Sequence, residues 1–253
     1  MTDFSIFFNR HFEIKTDPED IIREEAFRLR YQVYCLERGF ADVGGHVDRR
    51  ESDRYDRHSL HGIVRHRESG QSIATVRLVP GGGDGHDYRT FPIEQAYPNL
   101  LSDYGLGDSI LPRATTAEIS RFAVSRASHR RLPQLIGTEQ SHTLARGGWT
   151  FNGRCYPLVT FGLFIALMRL SIRNGITHWI AVMEPSLLRL LGRFGIRFHT
   201  IGGLLDYHGS RQPCYGRVQD IRLGVRTREQ HLFDLAEHDR WAASVNTMPG
   251  VAL

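Results

Sequence analysis

Glu118, Ser120 and Arg121 put a carboxylate, a hydroxyl and a guanidinium within four positions of one stretch, Thr115 to Val124, which starts polar and ends apolar. A carboxylate can take a proton, a hydroxyl can act as a nucleophile, and a guanidinium can orient or grip a carboxylate. A strand entering a core usually spends such positions on Val, Ile or Thr, so these polar groups need partners or a purpose. Two readings are open, a salt bridge buried at a strand end or a site. Strict alternation sends Glu118, Ser120 and Phe122 to one face and Arg121 to the other. A bulge, frequent near active sites, would bring Arg121 round to Glu118.

Further candidates stand elsewhere in the chain. Glu51-Ser52-Asp53-Arg54-Tyr55-Asp56 is an acidic loop segment whose Asp53 and Asp56 either hold a ligand's ammonium or pair with Arg54 and Arg57. Arg77 is held on the otherwise apolar face of Ile73, Thr75 and Val79. Arg126, His129, Arg130 and Arg131 form a basic stretch just after the central strand. Ser120 has no acid–base pattern of a catalytic triad around it. Gly81 to Gly85 lacks the spacing of a phosphate-binding loop and reads as a plain tip. Cys35 reads as a buried thiol, and His178, His199 and His208 as ordinary strand or loop histidines.

The elements that must position these groups follow from periodicity. Asp17 is an N-cap and Pro18 a first helical residue, opening a helix that runs to about Arg38. Its core stripe is Ile22, Ala26, Leu29, Val33 and Leu36. A second stripe, Arg23, Phe27, Arg30, Tyr34 and Glu37, mixes aromatics with charge and suits the wall of a cleft. Gly39 stops the helix, and residues 40 to 58 form a long polar loop of a kind that is often functional. Leu60–Arg67 and Ser72–Pro80 read as a hairpin, residues 86 to 114 as irregular, and 118 to 124 as the central strand. A helix is expected from Pro133 to about Ala145, and a buried apolar helix from Pro157 to Asn174 with Gly175 as its C-cap. Then come a strand (Thr177–Met183), a helix (Pro185–Phe194), further strand from Gly195, and a peripheral helix over 226–242. Helices on both faces of a mixed sheet make an α/β layer fold. Residues 1–225 read as one domain and 226–253 as a peripheral helix or tail.

The chain has 253 residues, 41% hydrophobic and 24% charged, with a net charge of +4. That composition is ordinary for a soluble protein with a substantial core. Arg far outnumbers Lys, which suits pairing with phosphates, carboxylates or an acidic partner surface. The basic residues are scattered among acids, so nucleic acid is not indicated. Three widely spaced cysteines suggest neither a zinc site nor a disulfide framework, and no metal is expected. The N-terminal stretch is not a signal peptide, and the apolar helix is too short to span a bilayer. A cytoplasmic setting is the default expectation.

These elements and blocks resemble the GNAT-like acyltransferases: the acyl-homoserine-lactone synthases, and the N-acyl amino acid synthases with their PEP-CTERM/exosortase-associated relatives. Phe27-Arg28-Leu29-Arg30-Tyr31-Gln32-Val33-Tyr34 is similar to the first-helix pattern, and Glu51-x-Asp53-x-Tyr55-Asp56 to the acidic loop. Arg77-Leu78 matches the hairpin strand, and Glu118-Ile119-Ser120-Arg121-Phe122 the central motif. His178 to Pro185 and Asp206 to Pro213 look like the exosortase-associated subgroup in particular. Phe40 stands where the lactone synthases usually carry tryptophan, which points away from a lactone product and from S-adenosylmethionine.

The resemblance implies a GNAT-like mixed central sheet and transfer of a long-chain fatty acyl group from acyl carrier protein to the α-amine of a small amino acid. The donor is then acyl-phosphopantetheine, with no tightly bound cofactor. Such transfer needs a base, a stabilised oxyanion and an oriented acceptor. Glu118 is the expected base and Arg121 its orienter or a carboxylate binder, with Ser120 as a weaker catalytic candidate. Arg30, Tyr34, Phe40, Asp53, Asp56 and Arg77 are expected at the substrate, Arg30 and Arg77 alternatively bracing the acidic loop. Ordinary GNAT enzymes hold the pyrophosphate of coenzyme A on a glycine-rich loop after this strand. The segment here has arginines and no glycine, so Arg126, Arg130 and Arg131 are expected to dock an acidic carrier protein. The alternatives are a lactone-type signal synthase and a non-catalytic acyl-carrier or lipid-binding module.

Overall fold

A computed structural model describes residues 3–16, 20–46, 48–82, 90–136 and 156–228. Eight strands form one mixed sheet in the order β1-β2-β3-β4-β5-β8-β6, with β7 paired to β8. They are β1 (Phe12–Thr16), β2 (Leu60–His66), β3 (Ser72–Pro80), β4 (Thr116–Val124), β5 (His178–Met183), β6 (His199–Thr200), β7 (Leu205–Asp206) and β8 (Ser210–Arg217). Every pairing is antiparallel except β4 with β5. The helices are α1 (Asp3–His11), α2 (Asp20–Arg30), α3 (Pro92–Ala96), α4 (Leu100–Asp103), α5 (Arg126–Ile136), α6 (Tyr156–Arg173), α7 (Pro185–Arg193) and α8 (Val218–Arg228).

The two faces of the sheet are covered by different chemistry. Helix α6, apolar almost throughout, packs on the face carrying Ala74, Leu78, Ile119 and Val124. It comes close because Gly62 lies beneath it: a Cβ there would stand 2.8 Å from that of Ala166. On the opposite face, Ile22 and Ala26 of α2 pack on Ile63, and α3 and α4 seal Ile180 with Ile93, Leu100 and Leu101. The expected arrangement, helices on both faces of a mixed sheet, is the one present. Among the described residues, no helix is long and apolar enough to cross a membrane.

The hairpin strands fall where their alternation puts them, and several other boundaries move. The expected helix start at Asp17 and Pro18 lies outside the described residues. After Arg30 the helix continues as a π-helix, Tyr31–Glu37. Wider winding shifts the register of its faces, so Leu36, expected in the core, is exposed. Gly39, at φ +64°, ends it as expected. The helix expected from Pro133 already starts at Arg126, so Arg126, Arg130 and Arg131 ride on α5 instead of a turn; residues 137–145 of that expectation lie outside the described residues. The further strand expected from Gly195 starts only at His199 and comes as β6, β7 and β8. Of the helix expected over 226–242, residues 229–242 lie outside the described residues. Residues 226–228 end α8, which begins at Val218 and runs across residue 225 with Val225 buried in the main core.

Candidate active site

The site begins with a register shift. Opposite β3, Ser120 pairs with Arg77 and Ala123 with Thr75, so three steps on β4 answer two on β3. The extra residue is a bulge over Arg121 and Phe122, and Arg121 takes φ +49°, the left-handed region rarely used by a side chain of this size. The bulge turns Phe122 onto Phe164 of α6, with ring centroids 5.5 Å apart. Arg121 goes to the other face, where Ser120 and Arg77 lie. Strict alternation had assigned these two residues the reverse faces, and the inserted residue is what inverts them.

On that face three guanidiniums and three carboxylates close into an alternating ring. Arg30 is fully buried and bonds Asp56 with both terminal nitrogens, at 2.7 and 3.0 Å, while its Nε donates to Glu51. Glu51 accepts from Arg121 at 2.9 and 3.1 Å, and Arg121 reaches Asp53 at 2.9 Å. Asp53 accepts from Arg77 at 2.6 Å, and Arg77 returns to Asp56 at 3.0 Å. Both carboxylate bonds use Nη1 of Arg77; its Nε donates to Ser120 Oγ at 2.9 Å, and its buried Nη2 makes no hydrogen bond among the described residues. The acidic loop folds to fit this ring: Asp53 caps the short 3₁₀ turn Arg54–Arg57, and Asp56 accepts the Asp53 backbone N–H.

Burial pushes the carboxyl of Asp56 up, but hydrogen bonds and charge from Arg30 and Arg77 outweigh it and hold Asp56 far below the usual range. Glu51 is likewise lowered by Arg30 and Arg121 against the effect of burial. Removing one member of such a set leaves a buried charge uncompensated, at a cost of about 3–5 kcal/mol.

Beside the ring the sheet opens. Strands β4 and β5 pair only from Thr116 and His178 to Ile119 and Ala181. Beyond that point they part, and a cavity of about 470 Å³ lies between them. Its walls include Ile119 to Val124 of β4, Val182 and Met183 of β5, Leu187 and Leu190 of α7, and Tyr34 and Phe40. Glu118 lines the cavity yet is only 2% exposed. Burial pushes its carboxyl up to about 8, although the Ile93 backbone N–H, 2.9 Å from Oε2, works against the rise. A carboxyl that titrates near neutrality can accept and return a proton.

The expected residues therefore divide. Glu118, Ser120, Arg121, Tyr34 and Phe40 line the cavity, with Glu51. Arg30, Asp53, Asp56 and Arg77 do not; they stand behind it in the ring. Asp53 and Asp56 pair instead with Arg30, Arg77 and Arg121. Arg126, Arg130 and Arg131 are exposed on α5. The start of that helix is already closed by Glu37, which accepts from the backbone N–H of Arg126 at 2.7 Å and Ala127 at 3.3 Å, and from Ser125 Oγ at 2.8 Å.

Sequence reasoning missed Arg38, Glu184, Tyr207, His208 and Arg211, all on the cavity wall. His208, read as an ordinary loop histidine, stacks on Phe40 with centroids 5.7 Å apart. A signal existed in the block Asp206 to Pro213, which was noted but assigned no role.

Comparison with known proteins bears on the fold. The model of the acetyltransferase (GNAT) domain matches residues 29–136. An acyl-homoserine-lactone synthase of Aliivibrio fischeri is 27% identical over 175 residues, 69% of this chain and 73% of the relative. Among solved structures, the AHL synthase LasI superposes with a TM-score of 0.55 at 20% identity, covering 82% of this chain and 90% of LasI. FeeM, an N-acyl amino acid synthase from uncultured soil microbes, gives 0.52 at 13% identity, covering 87% and 97%. The chain has the GNAT-like α/β fold, with its candidate site where the central strands part.

Proposed function

We propose that the chain is an N-acyltransferase that moves a long-chain fatty acyl group from acyl carrier protein to the α-amine of an amino acid. The observation that carries this reading is Glu118, a buried carboxyl raised to about 8, opening on the cavity between β4 and β5. The amine attacks the thioester carbonyl, a C–N bond forms and the C–S bond breaks. Ionised Glu118 takes the proton released from the attacking amine, and the proton passes on to the departing thiolate. Ser120, its hydroxyl oriented by Arg77, and backbone N–H groups released by the bulge are the donors for the oxyanion. Arg121 acts as a positioning residue, tying the bulge to Glu51 and Asp53. Arg30, Arg77, Asp53 and Asp56 keep the acidic loop and the bulge in place.

The cleft beside β4 suits an extended phosphopantetheine arm, and the apolar wall from Phe122 and Leu187 suits its acyl chain. Arg126, Arg130 and Arg131 then meet the acidic carrier, while Glu37 occupies the amide groups a phosphate would otherwise use. Relatives named lactone synthase and N-acyl amino acid synthase support acyl transfer to an amine. Motif likeness extends the reading to the exosortase-associated group.

A lactone-type synthase is the second reading, favoured by the name of the Aliivibrio relative. Mass spectrometry of lipid extracts from cells expressing the chain separates the two. Acylated amino acids, lost in Glu118→Gln, are expected; acyl lactones would replace the first reading with the second. Acyl-thioester binding without turnover would favour the non-catalytic module.

A further inference from the structure

Two arginines on facing walls of the cavity share a single carboxylate. Arg38, just past the π-helix, and Arg211, on β8, both approach Glu184 Oε1, at 3.9 and 3.2 Å. All three line the cavity. Among the described residues, the second terminal nitrogen of Arg211 donates to a neutral acceptor alone, the Ser210 carbonyl at 3.1 Å. The contrast with the ring is direct, since there three guanidiniums face three carboxylates. Glu51 is committed to that ring, and Glu118 accepts from the Ile93 backbone N–H and forms no ion pair with Arg38 or Arg211 among the described residues, so neither offsets the second arginine. One positive charge on a half-buried wall is left for a ligand, and a planar guanidinium fork matches a carboxylate best. Arg189 and Arg193 also reach the cavity, but they are exposed at its rim, where water solvates them.

The register gives the location. Ile119 lies opposite Ala181, and Ala181 opposite Cys214; two steps further, Met183 lies opposite Gln212. Arg211 thus stands at the open end of the cleft, across from the bulge. Phe40 stacked on His208 ties the Arg38 wall to the Arg211 wall.

We propose that Arg211 and Arg38, sharing Glu184, form the subsite for the carboxylate of the acceptor, a proposal that rests on the N-acyl amino acid reading. The incoming carboxylate completes a set of two guanidiniums and two carboxylates, and the acceptor's amine is directed toward Glu118. This subsite takes the place of Arg30 and Arg77, which are paired with the ring's carboxylates and do not line the cavity.

The test pairs each of the common amino acids with its α-amide as acceptor, using the full chain and an acyl-carrier thioester. The wild type is expected to prefer acids over amides by about tenfold or more. Arg211→Gln raises KM for the acid by about tenfold, leaves kcat within about threefold, and removes the preference over the amide. Arg38→Gln shifts KM in the same direction. Glu184→Gln, which frees both guanidiniums, lowers KM for the acid, an opposite sign that misfolding cannot mimic. Preference for acids retained in Arg211→Gln overturns the subsite while leaving the N-acyltransferase reading intact. A wild type that acylates no amine overturns both.

Discussion

Arg121 and Glu51, 70 positions apart, are joined by two guanidinium nitrogens, and the join requires Arg121 to sit in the left-handed region. That backbone conformation costs about 1–2 kcal/mol for a residue with a side chain. The carboxylates of Glu51 and Asp53 offset it. Arg121→Lys keeps the charge but not the fork, and is expected to lower stability in urea melts by about 1–3 kcal/mol. Arg121→Gly relieves the backbone and strips both carboxylates, so it too should be destabilised. Wild-type stability in both variants would mean that the ring does not hold the bulge.

Asp56 tests the ring from one of its two buried acids. Asp56→Asn leaves Arg30 and Arg77 short of a partner, with an expected loss of about 3–5 kcal/mol. Arg57→Ala, on the exposed side of the same turn, should change stability by less than about 0.5 kcal/mol. Because the folded pKa of Asp56 is depressed, its contribution is present above the unfolded value and is lost as pH falls. Acid melts should therefore show a shallower pH slope in Asp56→Asn than in the wild type.

Glu118 predicts the opposite slope. Its folded pKa, about 8, lies above the ordinary 4.5, so burial of the neutral form favours folding most below that ordinary value. The contribution fades as pH rises toward 8. Glu118→Gln should flatten the fall in stability between those pH values. Activity runs the other way, because only ionised Glu118 is a base: kcat/KM should climb with pH and level off above about 8. A wild-type profile flat from pH 6 to 9, within the precision of the assay, would remove Glu118 from the proton path.

What could be read from the chain depended on whether the controlling contacts are local. Ser72–Pro80 and its partner strand follow from alternation alone, and the apolar run in α6 announces its own burial. The unusual Arg77, set among apolar neighbours, correctly marked a polar cluster. Its partners could not be read, because Asp53, Asp56 and Ser120 reach it only through the fold. The π-winding after Arg30 has no periodic signal of its own; it shifts one turn and sends Leu36 outward. The bulge was foreseeable as a need, since Glu118 and Arg121 could not otherwise share a face. Arg38 and Arg211 escaped notice because each looks like a solvated charge until β8 and the π-helix meet across the cavity.

The basic face of α5 gives a prediction about the donor. Arg126, Arg130 and Arg131 are exposed, so reversing their charge should cost little stability. If an acidic carrier docks there, the triple Glu variant should raise KM for the acyl-carrier donor by about tenfold or more at low salt. Added salt should shrink the difference, since these charges are solvent-screened. KM for a short acyl-pantetheine, which has no protein surface, should stay unchanged. Equal losses with both donors would place the effect on the cavity and exclude α5 as the dock.

Glu37 makes the complementary claim about the same helix. Its carboxylate occupies the first amide groups of α5 and accepts from Ser125, and burial, which would raise its pKa, is outweighed by those bonds. A free helix start is a ready anion site, so the chain's own carboxylate stands where a nucleotide-linked diphosphate would gain most. If a carrier docks on α5, its arm loses nothing by this, because its phosphate can be met by the arginine side chains there. Glu37→Ala should weaken α5 by about 1 kcal/mol through loss of the cap. It should also raise kcat/KM for an acyl-coenzyme A donor relative to the matching acyl-carrier donor, measured as a ratio in one preparation so that lost stability cancels. An unchanged ratio would mean that the donor's phosphates never approach α5, and the choice between carrier and coenzyme A would then rest on the basic face alone.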